Sequence, residues 1–448
     1  MATLTPREIM DRVRTQAERS GVAEAETYLE VVTFREVRIR QREIELIQQS
    51  AIKGLGLRVY RDRRMGFLYT TDLRTPVLDE IVNRTIALAG EATPREENKL
   101  PDEIPPPTQE LEIYDASVAS MQLPDQIALA RAAEENAFAR DKRVKTTRDA
   151  RCGTQVNEVH FTNTFLGYQT YRTTTCWLGV GAIATDGTKK REGSFSDRKR
   201  ILLDLETPER VGRKAADRAL AKLGATSIPS AKVPVMFESE AAGQFLGGLF
   251  GAFSGQNVLE QRSFLAGSLG KPVASSLLTI SDEGLLRRGL GTRPFDGEGV
   301  QARNTLVIDR GVLKSFLTTS VSGRRMGRGS SGNANRSYDS LPAIGPTNFH
   351  VERGNTRPDK MISEIPKGLY VTELAGFGID IVSGEFSQQV EGRWIEGGKL
   401  AQPVEGVTLG GNLGEMLLGI DAVGNDLEYR SNVSSPSLRF KELTIGGA

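Results

Sequence analysis

The sequence predicts an α+β protein: a mixed α/β N-terminal domain over residues 1–228, then a β-dominated C-terminal domain over 229–448, built as a sandwich or an open barrel. Three observations predict it. A chain of 448 residues is too long for one ordinary core. Roughly the first 230 residues alternate between helical and strand periodicity. Beyond Pro272 the chain is mostly short β-rich runs broken by Gly, Asn and Asp, such as "NTLVIDRGVLKSFLTTS" and "PVEGVTLGGNL".

Each element has its own signal. An amphipathic helix is predicted over 6–19. "ETYLEVVTFREVRIRQREIELIQQ" alternates with period two and predicts two or three strands. "GLGLRVYRDRRMGFLYTTDL" reads as a hairpin about the polar Arg61–Arg64 turn. "TPVLDEIVNRTIALAGE" is a helix with Thr75 as N-cap and Pro76 at its first position. The Pro-rich, charged segment 92–109 reads as an exposed excursion. A further long helix follows over about 124–140, then strands to Leu205. Another helix, "TPERVGRKAADRALAKLG", closes the half, and 224–232 is the domain boundary. In the C-terminal half only 237–253 and 412–420 read as helical.

Composition narrows the function. Lys plus Arg (58) nearly cancels Asp plus Glu (57), so nucleic acid and anionic membranes are not general partners. No apolar run approaches the ~20 residues of a membrane span, and "WLGVGAIATDG" reads as a buried strand. The charged N-terminal segment lacks the apolar core of a secretion signal, which predicts a cytoplasmic protein. Only two cysteines (Cys152, Cys176) and two histidines (His160, His350) occur, without the close spacing of zinc ligands.

Four places carry candidate chemistry. "VPVMFESEAAGQFLGGLFGAFSG" runs from an apolar strand into a Gly/Ala helix bearing Glu238 and Glu240. These two lie about 200° apart around a helix, too far to share one ion, and suit a helix N-terminus. His160 could pair with Cys152 or Cys176 as a nucleophilic dyad only if the fold brings them together; otherwise it, like His350, is structural. The basic, glycine-rich segment 320–340 holds Arg324, Arg325, Arg328 and Arg336 and reads as a mobile loop able to hold a substrate carboxylate or phosphate. Asp296 and Glu298 in "RPFDGEGV" read as turn residues, with too few carboxylates for a calcium loop.

"RPFDGEGVQARNTLVIDRGVLKSFLTT", "GLYVTELAGFGIDIVSGEFSQQVEGRWIEGGKLAQPVEGVTLGGNLGEML" and "VGNDLEYRSNV" strongly resemble the TldD/PmbA family, and the resemblance covers nearly the whole chain. In that family the TldD branch carries His-Glu-x-x-x-His on a helix plus a distal cysteine, which bind the zinc of a peptidase. The resemblance places this motif on "SEAAGQ": Ser239 and Gln244 stand at the histidine positions and Glu240 at the glutamate. The distal cysteine falls in "NVSSPS", where this chain has none. Serine and glutamine do not replace imidazole as zinc ligands. The pattern is similar to the TldE/PmbA branch, which implies a non-catalytic subunit with no cofactor of its own, paired as a heterodimer with a TldD-type partner that carries zinc. Such a pair degrades unfolded or flexible peptides and processes peptide precursors. This subunit is expected to supply chamber walls and a strand edge for an extended peptide. Two other classes stay open: a free-standing hydrolase using Glu240 with unusual ligands or the Cys/His residues, and a non-proteolytic binding module.

Overall fold

The computed structural model describes residues 4–101, 109–187, 189–376 and 378–447. Thr5 opens helix α1 (Pro6–Arg19) with a reciprocal cap: its hydroxyl accepts from the Glu8 amide at 3.3 Å, and the Glu8 carboxylate accepts from the Thr5 amide at 2.8 Å. Strands β1 (Glu24–Arg40) and β2 (Glu43–Arg61) form a long hairpin, so the alternating region becomes one strand and the start of the next. Its turn residues, Gln41 and Arg42, have φ of 52° and 70°. The buried Glu134 carboxylate holds that conformation by accepting both turn amides, at 2.9 and 2.7 Å. The Arg61–Arg64 turn joins β2 to β3 (Arg64–Thr70) as the sequence predicts.

Helix α2 (Thr75–Glu91) starts one residue earlier than read: Arg74 is the N-cap, without a side-chain bond, and Thr75 and Pro76 are the first helical residues. The predicted excursion lies partly outside the described residues, at 102–108. Helices α3 (Ala116–Ser120) and α4 (Leu123–Arg140) lead into β4 (Val144–Asn163), β5 (Gln169–Thr185) and β6 (Lys190–Lys199). Helix α5 (Pro208–Ala221), capped by Thr207, follows. The six strands make one antiparallel sheet in the order β3-β2-β1-β4-β5-β6.

Pleating sorts the sheet's faces. Ala25, Leu29, Val37 and Ile39 of β1 point to the helical face, under α1 with α2 at one end and α4 with α5 at the other. The opposite face meets the C-terminal half, where Tyr28, Val159 and Phe161 pack with Phe295.

The C-terminal half opens with β7 (Ala231–Phe237), α6 (Ser239–Leu249) and the short α7 (Gly255–Leu259). Strands β8 (Ile280–Glu283), β9 (Asn304–Asp309) and β10 (Val312–Leu313) are followed by α8 (Ser320–Arg325) and the small β11 (Ala334–Asn335) and β12 (Ala343–Ile344). Then come β13 (Phe349–Val351), α9 (Pro358–Ser363), β14 (Lys367–Ala375), β15 (Glu385–Glu396), β16 (Lys399–Asn412), α10 (Leu413–Leu418), β17 (Ile420–Val423), β18 (Val433–Ser434) and β19 (Leu438–Gly446). Three short helices, α7, α8 and α9, add to the two helical regions read from the sequence; five or six residues are too few to show a 3.6 period.

The C-terminal half is β-rich, as the sequence predicts, and its larger sheet is a barrel that is closed rather than open. Strands β16-β15-β14-β7-β19 form a ring that closes where Thr408 to Gly410 pair with Gly446 to Thr444. A closed ring leaves no edge inside it, and β17 adds to the outside of β19. Phe245 of α6 packs edge-on against Phe237, Phe386 and Phe440 of the barrel strands, with ring centroids 5.6–5.8 Å apart.

The two halves are locked by buried charge. Glu26 on β1 accepts from Arg58 of β2 at 2.8 Å and from Arg336 at 2.5 Å, and Arg58 lies 3.5 Å from Glu298. All four side chains are almost wholly buried. Removing one member leaves an uncompensated buried charge, costing on the order of 3–5 kcal/mol. Glu26→Ala is therefore expected to lower stability by about that much in urea unfolding, while Glu45→Ala, on an exposed pair with Arg40, is expected to cost under about 1 kcal/mol. Equal midpoints for the two variants contradict the lock.

Candidate functional site around helix α6

Strand β7 runs straight into α6, and Glu238, the N-cap, sits at the junction. Glu238 donates its amide to the Val371 carbonyl at 2.9 Å, which ties the start of α6 to β14. Ala241, Ala242, Phe245, Leu246 and Leu249 are buried against the barrel, so Ser239, Glu240 and Gln244 fall on the outward side.

The cation beside these residues is Arg218 of α5. Its guanidinium donates to Glu240 Oε2 at 2.6 Å and to the Ser194 carbonyl at 2.8 Å, and lies 3.8 Å from Glu238 Oε1. Burial acts to lower the Arg218 pKa, but Glu240 and Glu238 outweigh it and hold the group charged. Burial pushes the Glu238 carboxyl above its usual range. Gln244 is engaged too: its Oε1 accepts from the Leu374 amide at 2.9 Å.

Two cavities meet at this helix end and share Glu240 and Gln244. One, of about 230 Å³, lies between α5 and the barrel and is ringed by the pairs Arg218–Glu240, Lys222–Glu373 (2.9 Å), Lys222–Glu391 (2.6 Å) and Arg191–Glu405. The other, of about 310 Å³, is walled by Ser239 and Gly243 on α6 and by Val433, Ser434 and Ser435. The segment 432–437, where the resemblance puts the distal cysteine, thus lies across a cavity from Ser239.

This donor set does not fit a transition metal. It offers a hydroxyl, an amide already bonded and a carboxylate bonded to a guanidinium, with no imidazole or thiolate. Among the described residues, no group of three or more His, Cys, Asp or Glu could hold a metal ion.

The other candidates lie elsewhere. Arg324 donates to the backbone carbonyls of Glu97 (2.9 Å) and Lys99 (2.6 Å), Arg325 lies 3.9 Å from Glu97, and Arg328 reaches Ser315 at 3.3 Å. None of the three lines either α6 cavity. The basic segment is thus not a free loop: α8 forms there under a Thr319–Ser322 capping box, and Arg336 belongs to the buried lock. Asp296 accepts from the amides of Glu298, Val300 and Ala334 at 2.9–3.0 Å, which is turn chemistry, but both acids are buried, which the sequence did not signal.

His160 does not meet a cysteine. It lies eight residues from Cys152 along the same regular strand, about 26 Å at the usual rise. Its ring contacts Tyr168 at 2.5 Å and Glu158 at 3.0 Å, while Cys176 pairs with Thr154 well down the ladder. His350 is buried against Tyr429. The Cys/His dyad is therefore not formed.

Three family models match: PmbA/TldA metallopeptidase domain 1 over residues 25–89, the central domain over 116–223 and the C-terminal domain over 230–447. The metalloprotease PmbA of Escherichia coli O157:H7 is 32% identical over 94% of this chain and 92% of its own length. The chain belongs to the PmbA/TldD family. A metalloprotease TldD homolog of Haemophilus influenzae is 28% identical, over only 60% of this chain and 61% of its own. That difference in coverage agrees with the PmbA branch. A crystal structure from Thermotoga maritima, described as a candidate modulator of a DNA gyrase, superposes with a TM-score of 0.89, is 27% identical and covers 99% of this chain and 100% of the other. No helix among the described residues is long and apolar enough to cross a membrane.

Arg218, Lys222, Glu373 and Glu391 were not found from the sequence. The two basic residues read as the ordinary polar side of an amphipathic helix, and their carboxylate partners lie at least 20 positions away.

Burial pushes the thiols of both Cys152 and Cys176 up to about 12. Neither is expected to be alkylated by iodoacetamide at pH 8 in the folded protein, while both react in urea. Rapid labelling of either thiol before unfolding contradicts this placement.

Proposed function

We propose that this chain is the non-catalytic subunit of a two-chain zinc metallopeptidase, paired with a TldD-type chain that carries the metal and the chemistry. The pair acts on unfolded or flexible peptides and processes peptide precursors in the cytoplasm. The observation that carries this reading is α6 itself, which presents Ser239 and Gln244 where the catalytic branch has histidines and whose Glu240 is bonded to Arg218. A glutamate whose lone pairs hold a guanidinium is a poor general base for water.

The same reading assigns Ser239 and Gln244 as degenerate metal positions and Glu240 as a vestige. It divides the chain at 228/229, supported by the start of the barrel at Ala231. Glu43 to Lys53 of β2 lack a partner strand on one side and expose Ile44, Leu46, Ile47 and Ile52, which supports a role for this hairpin in the partner interface. Of the basic segment's arginines, Arg325 is the exposed one and the best placed to meet substrate. Arg325→Ala is expected to raise the apparent KM for peptide with kcat unchanged.

The test is reassembly with a TldD-type chain. Glu240→Gln here is expected to change the pair's turnover by less than about threefold, or ~0.7 kcal/mol. A loss of about 100-fold or more, in a pair shown by light scattering to stay assembled, places chemistry in this chain and overturns the reading.

A further inference from the structure

Strand β2 pairs with β1 along its whole length, but β3 pairs only with its second part, Leu55 to Arg61. The β1–β2 ladder slips between Arg38 and Ile39, leaving Glu45 as an extra residue in β2. From Leu46 to Lys53 the strand is regular, and its outer edge carries backbone N–H and C=O groups with no strand beside them. Among the described residues no turn or loop backbone bonds to that edge either.

The side chains of this stretch are uncovered too. Alternate residues point to opposite faces, and Leu46 and Ile52 on one face and Ile47 on the other are 37–46% exposed. Outside this hairpin, exposed large apolar side chains among the described residues are scattered singly along the chain. Free edges are ordinarily blunted by proline, short length or several lysines. Between Leu46 and Lys53 there is no proline, and Lys53 is the one lysine. Such an edge suits a second strand of matching pattern.

The stretch matches itself. Run antiparallel to a second copy about Gln49, it sets Leu46 opposite Ile52, Ile47 opposite Ala51 and Gln48 opposite Ser50, with Gln49 on the two-fold axis. Apolar residues meet at both ends, and Glu45 comes level with Lys53 of the other copy. We propose that β2 is a homodimer edge: two copies of this chain pair antiparallel along Leu46–Ile52 and join their six-stranded sheets into one. About eight interchain hydrogen bonds form. The two-fold closes the assembly at two chains, because each copy covers the free edge of the other. The proposal concerns the chain by itself. A TldD-type partner would compete for the same edge, and the role given to α6 is untouched by either result.

The test is light scattering of the full chain, purified alone, with a cross-link that reads the register. A dimer is expected at tens of micromolar. In the Gln49→Cys chain the two new thiols face each other within disulfide reach, and mild oxidation is expected to link the dimer. Cys152 and Cys176 are buried and do not contribute. Leu46→Cys places its thiols about 20 Å apart in this register and is expected to give no link. Gln49→Lys and Gln49→Glu each set like charges on the axis and are expected to weaken the dimer by about threefold or more, while an equal mixture of the two restores it. Position 49 is exposed, so these changes leave the fold intact. A chain that is monomeric alone, including one that associates only when a TldD-type chain is added, overturns the proposal. So does a dimer in which Leu46→Cys links as readily as Gln49→Cys.

Discussion

The contact between Arg218 and Glu240 fixes the meaning of everything around α6. A carboxylate at the head of a helix, beside a cavity and close to a second carboxylate, invites a cation. In this chain the cation is a side chain of the same polypeptide, delivered by α5. The delivery depends on close packing: a Cβ added at Gly193 on β6 would lie 2.1 Å from the Ala219 amide nitrogen, so only glycine lets α5 approach so far. At Gly212 an added Cβ would lie 2.2 Å from the Ala133 carbonyl, so the same holds between α5 and α4. Arg218 can then bond Ser194 and Glu240 together, joining the N-terminal sheet to the first helix of the barrel half.

The large sheet serves two masters by alternation. One face of β1 is apolar and covered by helices, as a solvent-exposed α/β layer requires. The other carries Glu26, Tyr28 and Glu30 into the contact with the C-terminal half. There Glu26, Arg58, Arg336 and Glu298 pair and form the lock between the halves.

Local signals were legible in the sequence. Thr5 and Thr207 mark true helix starts, and the Arg61–Arg64 turn lies where polar residues interrupt two β-rich arms. The Gly/Ala helix of 237–253 is present as α6, and its outward residues are the ones the family resemblance singles out. What was not legible depends on long-range geometry. Closure of the barrel needs β16 to meet β19, 34 residues or more along the chain, and no period in either strand announces that. The basic segment looked like one functional loop because its arginines are close in sequence, yet the fold sends Arg324 to residues 97–99 and Arg336 to Glu26.

Zinc content tests the central claim most directly, because it asks whether α6 holds a metal or a guanidinium. The chain, purified without a partner in chelator-free buffer, is measured by inductively coupled plasma mass spectrometry. The expected result is zinc far below one equivalent. About one zinc per chain, removed by a chelator together with peptide cleavage, contradicts the account.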